Sequence, residues 1–336
     1  MKVMISGGAG YIGSTIASAL LDQGGIPIVL DSLVTGSRDS VGSKIFYHGD
    51  ISDDLLIDQI FQDHPDIAVV IHCAALIDVN ESVVKPMEYY RNNVVKSLHF
   101  IESLIKNGVK RIIFSSSAAM YRADGSIITE SADISPATPY GWTKAMSEQM
   151  FADIARSSDT RFVSFRYFNP IGADPLMRSG PRASGSTHVL GKIMNASAEG
   201  IPFTITGTDY PTHDGTGLRD YLHVWDLARA HVRAAQVFDQ IVDATNPYLA
   251  INLGRGVPVS VRELVETFNK VSPIQVEVRE GQRRPGDVTG GFASCELARD
   301  LLEWRTTLSI DEAIRDSLAW VSRQQSQTTA IANFDC

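Results

Sequence analysis

The sequence has few of the features that mark secreted, metal-binding, membrane-spanning or nucleic-acid-binding proteins. Its 336 residues include three cysteines, Cys73, Cys295 and Cys336, in no CxxC pairing, so neither a disulfide framework nor a cysteine-type zinc site is indicated. The eight histidines show no HExxH-like spacing, and apolar runs such as 67–71 are too short to cross a bilayer. The formal net charge of -9 disfavours a nucleic-acid partner, which requires a basic face.

What is present is ordinary for a globular protein of one or two domains. Hydrophobic residues make up 44% of the chain and charged residues 21%, as in globular proteins generally. The strand pattern begins at Val3 with no basic and apolar leader before it, so we expect no signal peptide. Free thiols suit a reducing compartment. We therefore expect a cytoplasmic protein.

Short apolar runs alternate with helical patterns through the first half of the chain. Continuous apolar strands separated by helices indicate a parallel sheet covered on both faces. The sequence therefore predicts an α/β fold with a Rossmann-type doubly wound parallel sheet. The predicted strands cover 3–6, 27–31, 67–74, 110–115 and 161–166, and the predicted helices cover 14–23, 54–63, 85–107 and 142–156.

The pattern changes after Asn169. Residues 172–187 are rich in glycine, proline and serine and have no periodicity, which is typical of a loop that can order over a ligand. Amphipathic helices follow over 224–237 and 261–270. We predict a dinucleotide-binding domain over 1–169, to which a segment near 222–254 returns, and a smaller C-terminal substrate-binding lobe over 170–330.

The first strand leads directly into a glycine-rich turn. Gly7, Gly10 and Gly13 lie between that strand and the first helix, and glycine at such positions lets the main chain approach a pyrophosphate at the helix N-terminus. A plain tight turn would use the same residues, but the strand and helix on either side favour a dinucleotide site. Asp31 ends the second strand, where a carboxylate binds ribose hydroxyls and repels a 2′-phosphate, which favours NAD over NADP. Asp50, after the third strand, either reaches the adenine or is a solvated loop carboxylate.

Tyr140 and Lys144 are four residues apart, so a helix would place them on one face. The phenol has a pKa near 10, and a neighbouring ammonium and a nicotinamide cation would both lower it, making Tyr140 a usable base. A tyrosine and a lysine at this spacing also fit an ordinary amphipathic helix. Ser115 and Ser117 strengthen the catalytic interpretation, because the carboxyl ends of parallel strands face the ligand crevice.

Together these residues resemble the extended short-chain dehydrogenase/reductase family over nearly the whole chain. The glycine turn with Gly8, Ala9, Tyr11 and Ile12, the serines at 115–117 and the Tyr140/Lys144 pair are general to that family. The strings RYFNP at 166–170, DYPTHDGTGLRDY at 209–221 and RRPGD at 283–287 are more specific to its nucleotide-sugar epimerases.

The resemblance implies a UDP-hexose 4-epimerase with tightly held NAD. Tyr140 would take the proton from the C4 hydroxyl, assisted by Lys144 and Ser117, and a transient 4-keto sugar would be reduced on its other face, interconverting UDP-glucose and UDP-galactose. The family's dimer contacts imply a homodimer through the helices at 85–107 and 142–156. The implied cofactor positions are Gly7, Gly10, Tyr11, Ile12, Gly13, Asp31, Ser32, Thr35, Gly36, Asp50, Ile51, Cys73, Ala74, Ala75, Asn92, Ser115, Tyr140, Lys144 and Tyr167.

The resemblance also assigns a UDP-sugar site. Arg219 and Arg284 would bind the diphosphate, for which bidentate arginine contacts are suited, unless they are surface ion-pair residues. His188 is either a substrate contact or structural. The implied substrate positions are Ser117, Tyr140, Asn169, His188, Val189, Thr204, Thr206, Arg219, Arg284, Asp287 and Gly291.

Some positions depart from the family pattern. Ile77 stands where a lysine near the nicotinamide is usual, and Arg122 follows Tyr121 where glycine is common. Gly291 stands at the wall of the sugar pocket beside carbon 2, so we expect room for an N-acetyl group and activity on UDP-GlcNAc and UDP-GalNAc, unless a loop or water fills the space.

Three other functions stay open at this stage: a nucleotide-sugar dehydratase, a dehydrogenase and a non-catalytic NAD sensor. Dehydration requires a further acid/base pair beside the catalytic serine, and Ala118 and Ala119 follow Ser117 instead. A dehydrogenase would have to release NADH readily, which the sequence does not decide. The complete Tyr140, Lys144 and Ser117 set disfavours a sensor.

Overall fold

A computed structural model describes residues 1–181, 188–283 and 288–332 of the chain. The described strands are β1 (Lys2–Ser6), β2 (Ile26–Asp31), β3 (Ile45–His48), β4 (Ile67–His72), β5 (Arg111–Ser117), β6 (Asp124–Ile128), β7 (Arg161–Tyr167), β8 (Asn169–Ile171), β9 (Phe203–Thr206), β10 (Leu218–Arg219), β11 (Tyr221–His223), β12 (Tyr248–Leu253), β13 (Val259–Ser260), β14 (Val278–Gly281) and β15 (Gly290–Ala293). The described α-helices are α1 (Tyr11–Asp22), α2 (Asp54–Asp63), α3 (Val79–Val84), α4 (Pro86–Tyr90), α5 (Lys96–Lys106), α6 (Pro139–Ser157), α7 (Val189–Glu199), α8 (Val224–Ile241), α9 (Val261–Val271), α10 (Glu296–Leu302) and α11 (Ile310–Ala332).

The main sheet has seven parallel strands in the order β12-β7-β5-β4-β1-β2-β3. The order reverses between β1 and β4, and in open α/β sheets ligands bind outside the carboxyl ends of the strands at such a point. The predicted doubly wound α/β fold is therefore confirmed. The glycine turn and the serine segment both lie at this edge.

Each face of the sheet has its own apolar core. On one face, α1 and α8 pack over residues such as Val3, Ile5 and Phe165, all fully buried. On the other, α2, α5 and α6 cover a core that includes Met4 and Phe114. Burial on both faces explains why these strands are continuously apolar rather than alternating.

The remaining strands form small sheets beside the carboxyl edge of the main one. One has the order β13-β10-β15-β6, and two pairs join β11 to β8 and β14 to β9. A third core lies under them, contributed by α7, α9 and α11. Because β6 lies between β5 and α6 in the chain but pairs with β15, the small sheets are attached directly to the segment that carries the serines and Tyr140.

Two helices differ from the predicted bounds for identifiable reasons. The helix predicted from Trp142 begins at Pro139, because Thr138 accepts a hydrogen bond from Gly141 N (3.3 Å) and proline is suited to the first turn. The predicted helix over 85–107 contains a π-helical turn at Arg91–Val95, between α4 and α5. Such turns are frequent at functional sites.

Within the described residues, no helix combines the length and apolar character needed to cross a membrane. The same part of the chain contains no grouping of three or more His, Cys, Asp or Glu that could hold a metal ion.

Candidate active site

The glycine turn brings the backbone of three strands close together. Gly7 has φ +71°, and a Cβ there would lie 2.7 Å from the backbone nitrogen of Ala74 after β4. A Cβ on Gly13 would lie 2.3 Å from the carbonyl oxygen of Gly7. Gly10 precedes α1 without a side-chain cap, so the N–H groups of the first helical turn are available to an anion. This geometry fits a dinucleotide pyrophosphate.

Asp31 is buried at the carboxyl end of β2, next to that turn. Its carboxylate accepts the N–H groups of Ala9 (2.9 Å) and Leu33 (2.7 Å), which ties the turn to the loop after β2. Each oxygen retains capacity for another donor, so the contacts leave room for ribose hydroxyls. Along this loop Ser32 and Gly36 are half-buried and Thr35 is exposed.

Asp50 and the next predicted positions lie farther along the same edge. The Asp50 carboxylate binds Lys96 Nζ at 2.5 Å and the Ser52 hydroxyl at 2.7 Å, and its oxygens retain capacity for a further donor, so its contact with the adenine stays a prediction. Ile51 is buried beside it. Tyr11, on the first turn of α1, donates its phenol proton to the carbonyl of Gly172 at 2.7 Å, which holds the start of the 172–181 loop.

The carboxyl end of β4 faces the serine segment. Cys73 Sγ lies 3.0 Å from Ser115 Oγ, and burial raises the pKa of the Cys73 thiol to about 11, so it stays protonated. Ala74 and Ala75 follow it and are half-buried. Ile77, in place of the usual lysine, is 64% exposed and supplies no charge.

The loop after β4 is held by a residue that the sequence did not indicate. Asn93, buried on the π turn, accepts the N–H of Leu76 (2.8 Å) and donates to its carbonyl (2.9 Å) and to the Thr143 hydroxyl (3.2 Å). The predicted Asn92 adjoins it and donates to Asn93 Oδ1 at 3.1 Å. A π turn cannot be recognised from helical periodicity, so sequence reasoning missed Asn93, while the contact of Asn92 with the cofactor stays a prediction.

Tyr140, Lys144 and Ser117 meet at the carboxyl end of β5, and all three are buried. Lys144 Nζ donates to the Ser115 carbonyl at 2.7 Å and lies 4.7 Å from the centre of the Phe114 ring and 5.9 Å from that of Tyr140. Gly141 makes this packing possible, because a Cβ there would lie 2.5 Å from the Ala119 carbonyl oxygen. Tyr167, at the end of β7, is also buried.

The protonation of this cluster differs from the simple expectation. Burial raises the pKa of Tyr140, and the hydrogen bond with Ser117 opposes that rise without cancelling it. Burial lowers the pKa of Lys144 to about 8. The residues of the chain by themselves therefore do not lower the Tyr140 pKa. The lowering predicted from the sequence would also require the nicotinamide cation.

The predicted substrate residues line the small sheets. Asn169 donates its backbone N–H (2.9 Å) and side-chain amide (3.3 Å) to the carbonyl of Asp220, which fixes it between β8 and β11. Val189 begins α7 and is half-buried, while on β9 Thr204 is exposed and Thr206 half-buried. His188 accepts the N–H of Gly191 (3.3 Å) as the cap of α7, and burial lowers its pKa to about 4, so the ring is neutral.

Arg219 is half-buried with an unusual set of partners. Its guanidinium donates to the carbonyls of Leu218 (2.6 Å) and Thr289 (3.5 Å), and among the described residues it forms no ion pair with a carboxylate. A Cβ on Gly290, which has φ +103°, would lie 1.8 Å from the Leu218 carbonyl oxygen and 2.6 Å from Arg219 Nη1, so the backbone clash and the positive φ require glycine there. A cation without a carboxylate partner is suited to an anionic ligand. Arg284 and Asp287, the other predicted diphosphate and ribose contacts, lie outside the described residues.

The described edge thus combines a dinucleotide turn, a ribose-type carboxylate and a buried Tyr–Lys–Ser cluster, which defines a dinucleotide-dependent enzyme of the short-chain dehydrogenase/reductase type. The family model "NAD dependent epimerase/dehydratase family" matches residues 3–254. The chain belongs to this family, and the predicted resemblance is confirmed.

Individual relatives agree over nearly the full length. A UDP-glucose 4-epimerase of Azospirillum brasilense is 40% identical over 324 residues, covering 95% of this chain and 91% of the relative. A crystal structure of UDP-glucose-4-epimerase from Stenotrophomonas maltophila, with bound NAD and formylated UDP-arabinopyranose, is 35% identical, covers 98% of this chain and 99% of that one, and has a TM-score of 0.92. The UDP-Glc/GlcNAc 4-epimerase of Campylobacter jejuni is 32% identical, covers 96% and 99%, and has a TM-score of 0.81.

Proposed function

We propose that this chain is a UDP-hexose 4-epimerase that interconverts UDP-glucose and UDP-galactose. The observation that carries the proposal is the buried cluster of Tyr140, Lys144 and Ser117 at the same sheet edge as the glycine turn. The relatives named above support it. The glycine turn at Gly7–Gly13 and the Asp31 carboxylate would hold NAD, which when bound would supply a hydride acceptor for carbon 4 of the sugar.

The chain's own residues move the proton. The Tyr140 phenol exchanges a proton with the C4 hydroxyl, and the Ser117 hydroxyl supports that exchange. The Lys144 ammonium, held by the Ser115 carbonyl, stabilises the phenolate and would be one of the residues that hold NAD. Asn169 and Arg219 hold the UDP, so that the ketone stays bound while the sugar turns over.

One assay separates this function from its alternatives. Purified protein mixed with UDP-galactose and no added NAD should form UDP-glucose, observed by NMR, without net NADH. A 6-deoxy-4-keto product would instead identify a dehydratase, and stoichiometric NADH a dehydrogenase. Protein that forms none of these products, although NAD binds to it, would be a sensor. Ala118 and Ala119 beside Ser117 provide no carboxylate for dehydration, which favours epimerisation.

The sugar specificity depends on what lies next to Gly291. A Cβ at this position would lie 2.6 Å from Cδ1 of Ile128, the buried last residue of β6. The direction that a larger side chain would take from β15 is therefore occupied by Ile128. The room that the sequence predicts beside Gly291 is thus filled by Ile128 in the structure. We propose that the enzyme nevertheless accepts UDP-GlcNAc as well as UDP-glucose, which the UDP-Glc/GlcNAc 4-epimerase relative supports, and that the flexible end of Ile128 moves aside when it does.

We expect Ile128→Ala, which removes three carbon atoms beside Gly291, to raise kcat/KM for UDP-GlcNAc relative to UDP-glucose by about 10-fold or more, since even one methylene in a pocket is worth about that factor. Gly291→Tyr should lower the same ratio. The measurement is kcat/KM of each variant for the pair UDP-glucose and UDP-galactose and for the pair UDP-GlcNAc and UDP-GalNAc. Ile127→Ala is the matched control, because Ile127 is the adjacent β6 residue and is 55% exposed. Equally poor activity of the native enzyme and Gly291→Tyr on UDP-GlcNAc would refute the proposal.

We also propose the homodimer predicted through the helices at 85–107 and 142–156, which correspond to α4, the π turn, α5 and α6, with α3 packed beside them. These helices pack together and expose a group of large apolar side chains, which on a monomer's surface marks an interaction site. They are Val83, Val84, Met87, Val95, Trp142 and Met146.

Met87→Glu combined with Met146→Glu should convert the dimer to a monomer, because two charges would enter an apolar interface. Sedimentation equilibrium would measure the mass. Leu55→Glu is the control, since Leu55 is equally exposed on α2, outside this face. A native protein that sediments as a monomer at micromolar concentration would contradict the proposal.

A further inference from the structure

The catalytic helix carries a third buried polar residue on the face that holds Tyr140 and Lys144. Glu148 lies one turn beyond Lys144 on α6 and is 4% exposed. Its Oε1 accepts the Ser116 hydroxyl at 2.5 Å. Three successive turns of α6 therefore bond to the last three residues of β5. Tyr140 bonds to Ser117, Lys144 to the Ser115 carbonyl, and Glu148 to the Ser116 hydroxyl.

Both carboxylate oxygens of Glu148 also accept hydrogen bonds from residues of other strands of the main sheet. Arg166, on β7 and directly opposite Ser116 in the register, donates Nε to both carboxylate oxygens (3.0 Å each) and Nη2 to Oε2 (2.6 Å). The Tyr248 hydroxyl from β12 donates to Oε2 at 2.7 Å. One carboxylate thus joins α6 to three adjacent strands of the main sheet.

Arg166 extends these contacts to the segment after β5. Its Nη1 donates to the Tyr121 hydroxyl (2.8 Å) and to the Glu130 carbonyl (2.9 Å). Tyr121 donates in turn to Asn252 on β12 at 2.7 Å. Every polar group of the Glu148 carboxylate and most of the guanidinium is therefore bonded inside the protein.

A buried ion pair of this kind is weak evidence for stability, because the cost of desolvating two charges often equals or exceeds their attraction. Such groups are better attested as devices that select one arrangement of packed elements. Here the selected arrangement is that of α6 on the sheet. We propose that the Glu148–Arg166 pair is a positioning device for the catalytic helix: it fixes the rotation and height of α6 against β5, and thereby the place of Tyr140.

Catalysis requires that the Tyr140 hydroxyl be placed to within a small distance. Side-chain ends lie about 5–6 Å from a helix axis, so a rotation of α6 by about 10° would move the Tyr140 hydroxyl by about 1 Å. A displacement of about 1 Å can cost about 100-fold in rate. Within the described residues, no hydrogen bond joins Glu148 or Arg166 to a predicted ligand position, so their effect would be transmitted through α6 and β5.

The pair also contributes charge near Lys144. Burial lowers the pKa of Lys144 to about 8, while Cys73 on the β4 edge and Glu148 on α6 oppose that lowering. The other groups that face Lys144 are the buried neutral His72 from β4 and Tyr140 from α6. Loss of the Glu148 charge with Arg166 kept would therefore lower the Lys144 pKa further, and the ammonium would be lost at lower pH.

Two variants separate the effect of the pair on the placement of α6 from the effect of the Glu148 charge on Lys144. Glu148→Met with Arg166→Met removes both charges and replaces the pair with apolar chains of similar length. We expect kcat for UDP-galactose to fall by about 10- to 100-fold with KM within about threefold, since the loss is one of alignment. Deprotonation of Lys144 should cause an alkaline loss of kcat. Glu148→Gln keeps the shape of the side chain and should move that loss to lower pH by more than the double variant does.

Hydrogen exchange gives a readout independent of turnover. The double variant should exchange faster over 139–147, at the start of α6, while its thermal transition shows that it is folded. Asp153→Asn is the control, because Asp153 forms an exposed ion pair with Arg156 on the same helix and should change neither kinetics nor exchange there.

This inference rests on the proposed function, and the two can fail separately. A native enzyme that does not epimerise UDP-galactose would refute the function. A native enzyme that does, together with a folded double variant whose kcat is within about twofold and a Glu148→Gln pH profile that is unchanged, would overturn the positioning role and leave a purely structural one.

Discussion

Tyr140→Phe should lower kcat for UDP-galactose by about 10²- to 10⁴-fold, the usual contribution of a positioned acid–base group. The phenylalanine keeps the ring in its buried position on α6 and removes only the hydroxyl that exchanges the proton. Because the ring contacts with Lys144 remain, the purified variant should retain NAD in the same proportion as the native protein. Initial rates and the NAD content of the protein measure the two effects.

Tyr47→Phe is the matched control for that variant. The Tyr47 hydroxyl donates to Asp63 at 2.7 Å on an exposed part of the sheet edge, so its removal should leave kcat unchanged. A Tyr140→Phe protein that keeps more than about a tenth of native kcat would show that another group moves the proton.

Gly13→Ala should abolish stable cofactor retention. The added methyl carbon would lie 2.3 Å from the Gly7 carbonyl oxygen and 2.8 Å from the Gly8 Cα, and backbone atoms cannot yield as a side-chain end can. The turn must therefore open, which costs about 1–3 kcal/mol or more of the free energy of unfolding. The N–H groups at the start of α1 would then no longer point towards the pyrophosphate. The expected result is a lower thermal transition and protein purified without NAD.

Ser18→Ala tests whether any change in α1 has that effect. Ser18 is fully buried on the same helix, and its hydroxyl has no hydrogen-bond partner in the described part of the chain. Removing it should be neutral or slightly stabilising. Retention of NAD by Gly13→Ala at native occupancy would refute the assigned role of the turn.

The features that sequence predicted well are those set by local chemistry. Glycine at Gly7 is required by φ +71° and by the approach of Ala74, so it is visible as a motif. The spacing of Tyr140 and Lys144 is fixed by one helical turn. Buried parallel strands such as β1 and β5 are apolar throughout, which a single sequence displays directly.

The features that sequence did not predict depend on contacts between distant segments. Glu148 bonds residues up to 100 positions away along the chain, and nothing in its neighbourhood distinguishes it from a solvent-facing helix residue. Asn93 acts through a π turn that periodicity does not show. The Ile128 side chain that faces Gly291 comes from β6, which lacks strand alternation and was not predicted.

The position of β12 has a consequence for how the chain folds during synthesis. Strands β1 to β5 and β7 are complete once residue 167 has been made, yet β12 pairs with β7 over its whole length only after residues 248–253 emerge. Until then the edge of β7 has no partner strand, and the face of α1 that packs against α8 stays uncovered until residues 224–241 have emerged. An unpaired edge of this kind is a template for aggregation. A nascent chain paused between these points would expose it, so this protein should depend on uninterrupted translation or on a chaperone for about 80 residues.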